Sequence, residues 1–174
     1  MRDIERIHQR WLEIQRMKTE FDVKMTVPVM YDYMMYHTFT GIQFWLVVMI
    51  GLMLICMFIY SHNPLHIICA VAILAYLPVE RLFQAKKQVT LNPVFKEKLH
   101  YTLDDEKMSI DVLDEHMDAA WDSIVKVRST KKSLILYTNS VTATIFPREA
   151  LGDDYEKAVE LIRKGVPATR VKIK

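Results

Sequence analysis

The densest run of chemically capable side chains is a set of eight acidic residues between positions 104 and 122. They are Asp104, Asp105, Glu106, Asp111, Asp114, Glu115, Asp118 and Asp122. Carboxylates at this density could ligate a cation or form a pair for acid–base catalysis. A calcium loop, however, needs oxygen ligands at regularly alternating positions and a central glycine, and this run has neither. Hairpin turns and solvent-facing strand positions explain the acids better, so we predict no metal site here.

Histidine and cysteine usage gives no stronger sign of chemistry. The six His residues are scattered, and only His62 and His66 have the four-residue spacing of a helical metal site. A turn containing Pro64 separates these two, so they do not share a helix face, and we expect His66 to contact lipid headgroups. Cys56 and Cys69 lie inside a hydrophobic region, where small apolar packing is their expected role.

Local catalytic and cofactor motifs are missing from the sequence. With four Gly residues, the chain has no phosphate-binding loop of the Walker or dinucleotide type and no nucleophile elbow. A catalytic triad is assembled in space and not in sequence, so the missing motifs argue against catalysis without excluding it. We expect a protein that is not an enzyme, with no catalytic residues, metal or cofactor.

Basic residues form one local cluster, made of Lys126, Arg128, Lys131 and Lys132. In a hairpin these four could face anionic lipid headgroups, although a hairpin with solvated basic side chains is the favoured interpretation. The formal net charge of +2 and the pI near 8.5 are too mild for a nucleic-acid-binding protein, which concentrates Lys and Arg on one face. We expect no nucleic-acid partner.

The elements that must position these residues include a long hydrophobic segment. No Asp, Glu, Lys or Arg occurs within residues 33–79, which a surface in water would require. The pattern predicts a transmembrane hairpin over residues 41–83, formed by helices at 41–60 and 64–83. A polar turn with Asn before Pro separates the two helices, because this pair disfavours continued helix.

The second of these helices is short in its apolar part. It crosses a bilayer only if Glu80 and Arg81 reach the far interface. The connecting turn lacks Lys and Arg, whereas the segment after the second helix is basic, so both termini are expected in the cytoplasm. The basic residues that carry this orientation are Arg81, Lys86, Lys87, Lys96 and Lys98.

A soluble pair of buried helices is the alternative to a membrane hairpin. The first helix disfavours it, because its sequence is apolar all round and has no polar face. Small residues at four positions would permit close helix contact in the membrane. These positions are Gly51, Ala70, Ala72 and Ala75.

The chain before the hairpin has two parts. Residues 1–20 have apolar positions at three- and four-residue steps and predict an amphipathic helix. Packing on the C-terminal domain is its favoured role, with lying among headgroups or pairing with another copy as alternatives. Residues 21–40 predict a half-buried strand at 21–27, which Pro28 ends, and then a helix that leads into the membrane.

From about residue 94, short alternating runs replace the long apolar segment. We predict six strands, at or around residues 98–103, 107–112, 117–121, 125–128, 133–138 and 141–146. Consecutive short strands most naturally form an antiparallel meander. Asp153 and Glu156 have capping-box spacing at the start of a closing helix, which ends at Gly165. The pattern predicts a cytoplasmic α+β domain over residues 94–166 and a tail over residues 167–174.

Three motifs in this domain carry a resemblance to a known family. They are Trp121 with the following IVKVRS strand, the LILYT strand at 134–138, and Phe146, Pro147 and Arg148. Placed after a two-helix hairpin, they resemble the YcxB-like membrane protein family. The resemblance implies a domain similar to bacterial pleckstrin-homology-like (PH-like) domains, which is a bent antiparallel sheet closed at one end by a C-terminal helix. It implies a bacterial membrane location and little about activity.

Two functions remain open for such a chain. The first is a membrane-anchored, non-enzymatic binding or regulatory module whose cytoplasmic domain engages a protein, another copy of itself or the membrane surface. The alternative is an immunity protein against a membrane-active toxin, in which the transmembrane hairpin is itself the binding surface.

Overall fold

The computed structural model describes residues 17–113, 115–139 and 142–173. Its fold is α+β, and the chain divides into two compact units. The helical unit runs from Met25 to Asn92, and the sheet unit combines the described residues up to Lys24 with those from Pro93 onwards. Most of the helix predicted over residues 1–20 lies outside the described residues, so its role stays a prediction. Its predicted end is wrong, because Thr19 and Glu20 belong to the strand Thr19–Val23.

Three helices form the helical unit. They are α1 (Val27–Thr40), α2 (Ile42–Ser61) and α3 (Pro64–Leu91). Gly41 separates α1 from α2 in an extended conformation, and its N–H donates to the Thr38 carbonyl at 3.0 Å. Helices α2 and α3 pack against each other along their length, and α1 packs mainly on α3.

The helical unit departs from the predicted bounds at two points. The strand predicted to reach residue 27 ends at Val23, because Pro28 suits the first turn of a helix and Val27 already begins α1. The second predicted helix ended at residue 83, whereas α3 continues to Leu91. Residues 84–91 are mostly polar, so the hydropathy of the chain falls here. They include Ala, Gln and Lys, which favour helix, so the helix continues beyond the apolar segment.

Polar side chains hold the turn between α2 and α3. His62 adopts a left-handed conformation with φ of 52° and donates its N–H to the Phe58 carbonyl at 2.8 Å. The Asn63 side chain accepts from the Leu65 N–H at 3.0 Å and so caps α3. The chain therefore reverses within the polar segment between the two long helices.

The first sheet of the sheet unit is fully antiparallel. Its strands are β1 (Thr19–Val23), β2 (Leu99–Leu103), β3 (Lys107–Val112) and β4 (Glu115–Ala120), and they lie in this order. Phe21 in β1 lies opposite Tyr101 in β2. Strands from both sides of the helical unit in the sequence therefore complete one sheet.

The second sheet is mixed. Its strands are β5 (Lys126–Ser129), β6 (Ser133–Tyr137), β7 (Ala143–Pro147) and β8 (Val171–Lys172), in the spatial order β7-β6-β5-β8. Strand β8 runs parallel to β5, with Val171 opposite Val127, whereas β6 is antiparallel to its two neighbours, β5 and β7.

The six predicted strands all occur, but they do not form one meander. A 3-10 turn at Trp121–Ser123 lies between β4 and β5, and the chain changes sheets there. Trp121 is buried in the core, so this turn directs a large aromatic side chain inward and interrupts the strand pattern. The predicted tail over residues 167–174 contains β8, which adds a parallel edge that alternation alone does not reveal.

Aromatic and aliphatic side chains from both sheets form the core of the sheet unit. The centre of the Phe146 ring lies 5.1 Å from the centre of the Phe21 ring and 4.9 Å from that of the Tyr101 ring, and both pairs have edge-to-face geometry. Burial raises the pKa of Tyr101 to about 12, so its hydroxyl stays neutral. Val159 and Ile162 also belong to this core and bury one face of a C-terminal helix.

This C-terminal helix follows a single short turn of helix. The two are α4 (Arg148–Leu151) and α5 (Tyr155–Gly165). The predicted capping box is wrong, because α5 begins one residue after Asp154 and has no side-chain cap. Asp154 instead accepts a hydrogen bond from the Lys157 ammonium at 2.9 Å, an i,i+3 pair on the helix surface.

Candidate functional site

Helices α2 and α3 expose an apolar surface. In the most apolar 18-residue stretch of each helix, only 6% is buried in α2 and 11% in α3. Both helices are long and apolar enough to span a membrane. Trp45 near the start of α2 is 62% exposed, and Tyr60 near its end is 92% exposed. The core helix of a soluble protein would bury such residues, whereas here they lie on the surface of the described helical unit.

The four predicted helix-packing residues separate into two pairs. Gly51 in α2 is buried against Leu74 of α3, where a Cβ atom at residue 51 would lie 2.8 Å from Leu74 Cδ2. Ala70 in α3 is also buried. Ala72 and Ala75 are exposed on α3. Gly51 and Ala70 are therefore covered within the chain, and only Ala72 and Ala75 are open to another helix.

The residues of the polar turn contact one another. The Ser61 hydroxyl lies 2.9 Å from His66 Nδ1 and 2.7 Å from the Met57 carbonyl oxygen. His66 therefore has a hydrogen-bonding partner within the turn. No group of three His, Cys, Asp or Glu side chains able to hold a metal ion occurs among the described residues.

Two of the four predicted basic residues lie on β5, the strand next to the edge strand β8 of the second sheet. Lys126 and Arg128 flank the buried Val127, so both side chains leave the sheet on the face away from the core. Arg128 lies opposite Lys172 of β8 in the parallel pairing. We call Lys126, Arg128, Arg170 and Lys172 the basic edge.

Backbone carbonyls, and not carboxylates, hold the guanidinium groups of the basic edge. Arg128 Nη1 donates to the Val127 carbonyl at 2.6 Å and to the Arg170 carbonyl at 3.0 Å. Arg170 Nη1 donates to the Ile124 carbonyl at 3.2 Å. In the part of the chain that the structure describes, no residue of the basic edge forms an ion pair.

The charges of the basic edge repel one another. Burial lowers the pKa of Lys126, and the positive charges of Arg128 and Lys172 lower it further. The Lys126 ammonium lies 5.0 Å from the centre of the Tyr137 ring, where a cation–π attraction partly offsets this cost. An acidic partner at the basic edge would relieve the repulsion, because it would supply the missing opposite charge.

The other two predicted basic residues occupy the turn between β5 and β6. The Thr130 hydroxyl accepts from the backbone N–H of Lys132 at 3.2 Å and from that of Ser133 at 3.0 Å. Lys131 and Lys132 are both exposed. The turn is held by its backbone, which leaves these two ammonium groups to solvent or to a ligand.

The sequence did not draw attention to Arg170 and Lys172, since both lie in the predicted tail. One signal was present, because Val171 and Ile173 alternate with Lys172 in the manner of a strand. So short a run has too little length to predict a strand on its own. Its pairing with β5 is a tertiary contact that only the structure reveals.

The acidic run is distributed over turns and strand surfaces. Asp104 accepts from the backbone N–H groups of Glu106 and Lys107 at 2.8 Å each and so closes the β2–β3 turn. Asp118 accepts from the Lys107 ammonium and the Ser109 hydroxyl, each at 2.6 Å, and these bonds lower its pKa to about 2.

The single His in this run is paired on the same surface. His116 Nδ1 lies against Asp111, and its Nε2 is 3.1 Å from Asp118. These acids therefore have protein partners on the exposed surface of β3 and β4.

The comparisons with known proteins concern part of the sheet unit. Residues 103–162, from the end of β2 into α5, match the model of the YcxB-like protein family. This match confirms the resemblance that the Trp121, LILYT and Phe146 motifs carry. No curated protein and no solved structure matches the chain.

Proposed function

We propose that this YcxB-like chain is a membrane-anchored, non-enzymatic binding or regulatory module of a bacterial cell membrane. In this proposal α2 and α3 cross the bilayer, both termini are cytoplasmic, and the sheet unit is a PH-like domain in the cytoplasm. Anchoring would raise the local concentration of the sheet unit for partners near the membrane.

The exposed apolar surface of α2 and α3 carries the proposal. A helix of 20 residues such as α2 rises about 30 Å, which matches the hydrocarbon thickness of a bilayer. The exposed Trp45 and Tyr60 near the two ends of α2 suit the two interfaces, where amphipathic rings are favoured. In water the same surface would cause aggregation.

The distribution of basic residues supports the orientation. The turn between α2 and α3 contains no Lys or Arg, and the last part of α3 contains Arg81, Lys86 and Lys87. Basic residues next to a membrane span favour the cytoplasmic side. The turn then lies outside the cytoplasm.

The basic edge supports a binding function for the sheet unit. Backbone carbonyls hold the guanidinium groups of Arg128 and Arg170 in place, so these groups lose little conformational freedom when an anionic partner binds. A partner with carboxylate or phosphate groups matches this charge. An acidic protein surface and anionic lipid headgroups both have it.

A pull-down from detergent extracts tests the binding proposal. Lys126→Gln, Arg128→Gln and Lys172→Gln together remove three charges from the basic edge, and we expect the captured partner to be lost. The matched control removes three exposed charges elsewhere, with Lys96→Gln, Lys157→Gln and Arg163→Gln. Equal capture by the two triple variants would contradict a role for the basic edge.

The exposed pair Ala72 and Ala75 favours a second candidate, the immunity protein that protects through its helices. Small residues on a lipid-facing surface permit close approach of another helix. Ala72→Leu with Ala75→Leu would then abolish protection against the toxin, whereas the basic-edge triple variant would retain it. The opposite pattern would favour the binding module.

A further inference from the structure

The edge strands of the two sheets differ in charge. Among the described residues, β1 and β4 are the edges of the first sheet, and β7 and β8 are the edges of the second. Strands β1 and β4 carry acidic side chains, and β7 carries no charged side chain. Of these edge strands, β8 is the only one that carries Lys or Arg, and Arg170 directly precedes it.

Strand β8 has an open backbone edge in the described part of the sheet. It pairs with β5 on one side, where Val171 lies opposite Val127, and no described strand lies on its other side. Successive residues of a strand direct their N–H and C=O groups to alternate sides, so the outer side of β8 offers donors and acceptors. An extended segment can therefore add to the sheet beside β8.

The basic side chains next to this open edge share one face of the sheet. Val171 packs against the core, so Lys172 beside it points to the opposite face. Lys126 and Arg128 leave β5 on that same face, and Arg128 lies opposite Lys172 in the parallel pairing. A strand added beside β8 would bring its own side chains on this face next to these cations.

The guanidinium groups of the basic edge keep donors for a ligand. The hydrogen bonds of Arg128 to the Val127 and Arg170 carbonyls both use Nη1, and so does the bond of Arg170 to the Ile124 carbonyl. The second terminal nitrogen of each guanidinium can therefore donate to a carboxylate. The backbone bonds hold both groups in position beforehand, which lowers the entropic cost of binding.

The charge of β8 determines which segments can pair with it. A lysine on an edge strand deters pairing with apolar or basic segments, because its ammonium would be desolvated or repelled. Opposite charges on neighbouring strands stabilise their pairing, so a carboxylate next to Lys172 removes this barrier. The acidic strands β1 and β4 would repel the same carboxylates. The described edges therefore select an acidic segment at β8 alone.

We propose that an extended acidic segment of a partner protein adds to the second sheet as a strand beside β8, with its carboxylates against Lys126, Arg128 and Lys172. Such a segment carries Asp or Glu at every second residue, because alternate side chains of a strand point to one face. Anionic lipid headgroups match the charge but have no backbone to pair with the open edge. The inference rests on the proposed function, since it names the partner of the basic edge.

Fluorescence anisotropy with the full chain in a maltoside detergent tests this proposal. The probe is the fluorescein-labelled peptide TEVEVET. A second peptide, TQVQVQT, keeps the backbone without the carboxylates, and a third keeps the glutamates but is N-methylated along its backbone. We expect TEVEVET to bind saturably and both other peptides to bind about tenfold more weakly or worse, since each loses hydrogen bonds to the chain.

The protein variants test the position of the site. The basic-edge triple variant should lose about tenfold or more in affinity for TEVEVET, whereas its matched control triple variant should bind like wild type. Lys126→Gln with Lys172→Gln leaves both guanidinium groups in place and serves if the triple variant does not fold. Unchanged binding of TEVEVET by this double variant would overturn the proposal.

The peptides also separate strand addition from other ways of binding. No binding of TEVEVET, or equal binding of TQVQVQT, overturns the proposal, and equal binding of the N-methylated peptide shows that charge acts without strand pairing and overturns it too. Retention of phosphatidylglycerol through the basic edge, measured by native mass spectrometry, without binding of TEVEVET would identify lipid headgroups as the ligand instead. A pull-down that depends on the basic edge, together with no peptide binding, overturns this inference and leaves the proposed function standing.

Discussion

At the residue scale, close packing around Trp121 constrains the end of α5. The indole Nε1 donates to the Asp104 carbonyl at 2.9 Å, which fixes the ring over the β2–β3 turn. Gly165 at the end of α5 lies directly against this ring, and a Cβ atom there would approach Trp121 Cγ to 2.4 Å. The glycine is therefore required for space, in addition to ending the helix as the sequence predicts.

Gly165→Ala should destabilise the sheet unit by about 1–3 kcal/mol, because the added methyl group overpacks the core. Thermal unfolding of the full chain in detergent measures the change. Glu160→Ala on the exposed face of the same helix is the control, with an expected change of less than about 0.5 kcal/mol. Equal stability of Gly165→Ala and wild type would contradict the packing of Trp121 on α5.

His116 gives a second prediction at this scale. The hydrogen bond from His116 to Asp111 raises the pKa of the imidazole above its usual value of 6.5. A raised pKa in the folded state means that the pair stabilises the protein at pH values below about 6.5, and the contribution is lost as pH rises through the folded pKa.

Nuclear magnetic resonance titration of the His116 ring should give a midpoint above 6.5, and Asp111→Asn should lower it. Asp153→Asn, an exposed acid on another element, should leave the midpoint unchanged. An unchanged midpoint in Asp111→Asn would show that the two side chains do not pair.

At the scale of elements, the sequence predicts strands and helices well and their partners less well. Strong alternation in β2 and β3 and uniform hydropathy in α2 are local signals, so these elements could be predicted. The parallel pairing of β8 with β5, and the change of sheet at Trp121, depend on contacts distant in sequence. The sequence predicts a shorter α3 than the structure has, because polar helix formers extend this helix beyond the apolar segment.

The candidate sites follow the same division. Lys126 and Arg128 are prominent in the sequence because they alternate on one strand, whereas Arg170 and Lys172 join them only through tertiary pairing. A cavity beside Arg81 could not be predicted either, since its wall comes from the three helices α1, α2 and α3.

The packing of α2 on α3 gives a prediction at this scale. Gly51→Leu should separate the two helices, because even a Cβ atom would lie 2.8 Å from Leu74 Cδ2. We expect a loss of about 1–3 kcal/mol or more in thermal stability in detergent. Ala72→Leu, on an exposed surface of α3, should change stability far less. A larger loss from Ala72→Leu than from Gly51→Leu would contradict the observed contact.

At the scale of the whole molecule, the helical unit is an insertion in the sequence of the sheet unit. Strand β1 precedes the helices and β2 follows them, yet the two strands are neighbours in one sheet. The hairpin is thus joined to the sheet unit by two chain connections.

Cysteine labelling in intact cells tests most directly whether α2 and α3 cross the membrane with their turn outside. The background variant replaces both natural cysteines, Cys56 and Cys69, by Ala. Ser61→Cys places a single thiol in the turn, and Ser123→Cys places one at an exposed position of the sheet unit. A membrane-impermeant maleimide should label residue 61 in intact cells and residue 123 only after lysis. Labelling of residue 123 but not of residue 61 would reverse the orientation. Labelling of both residues, or of neither, in intact cells would contradict a crossing hairpin.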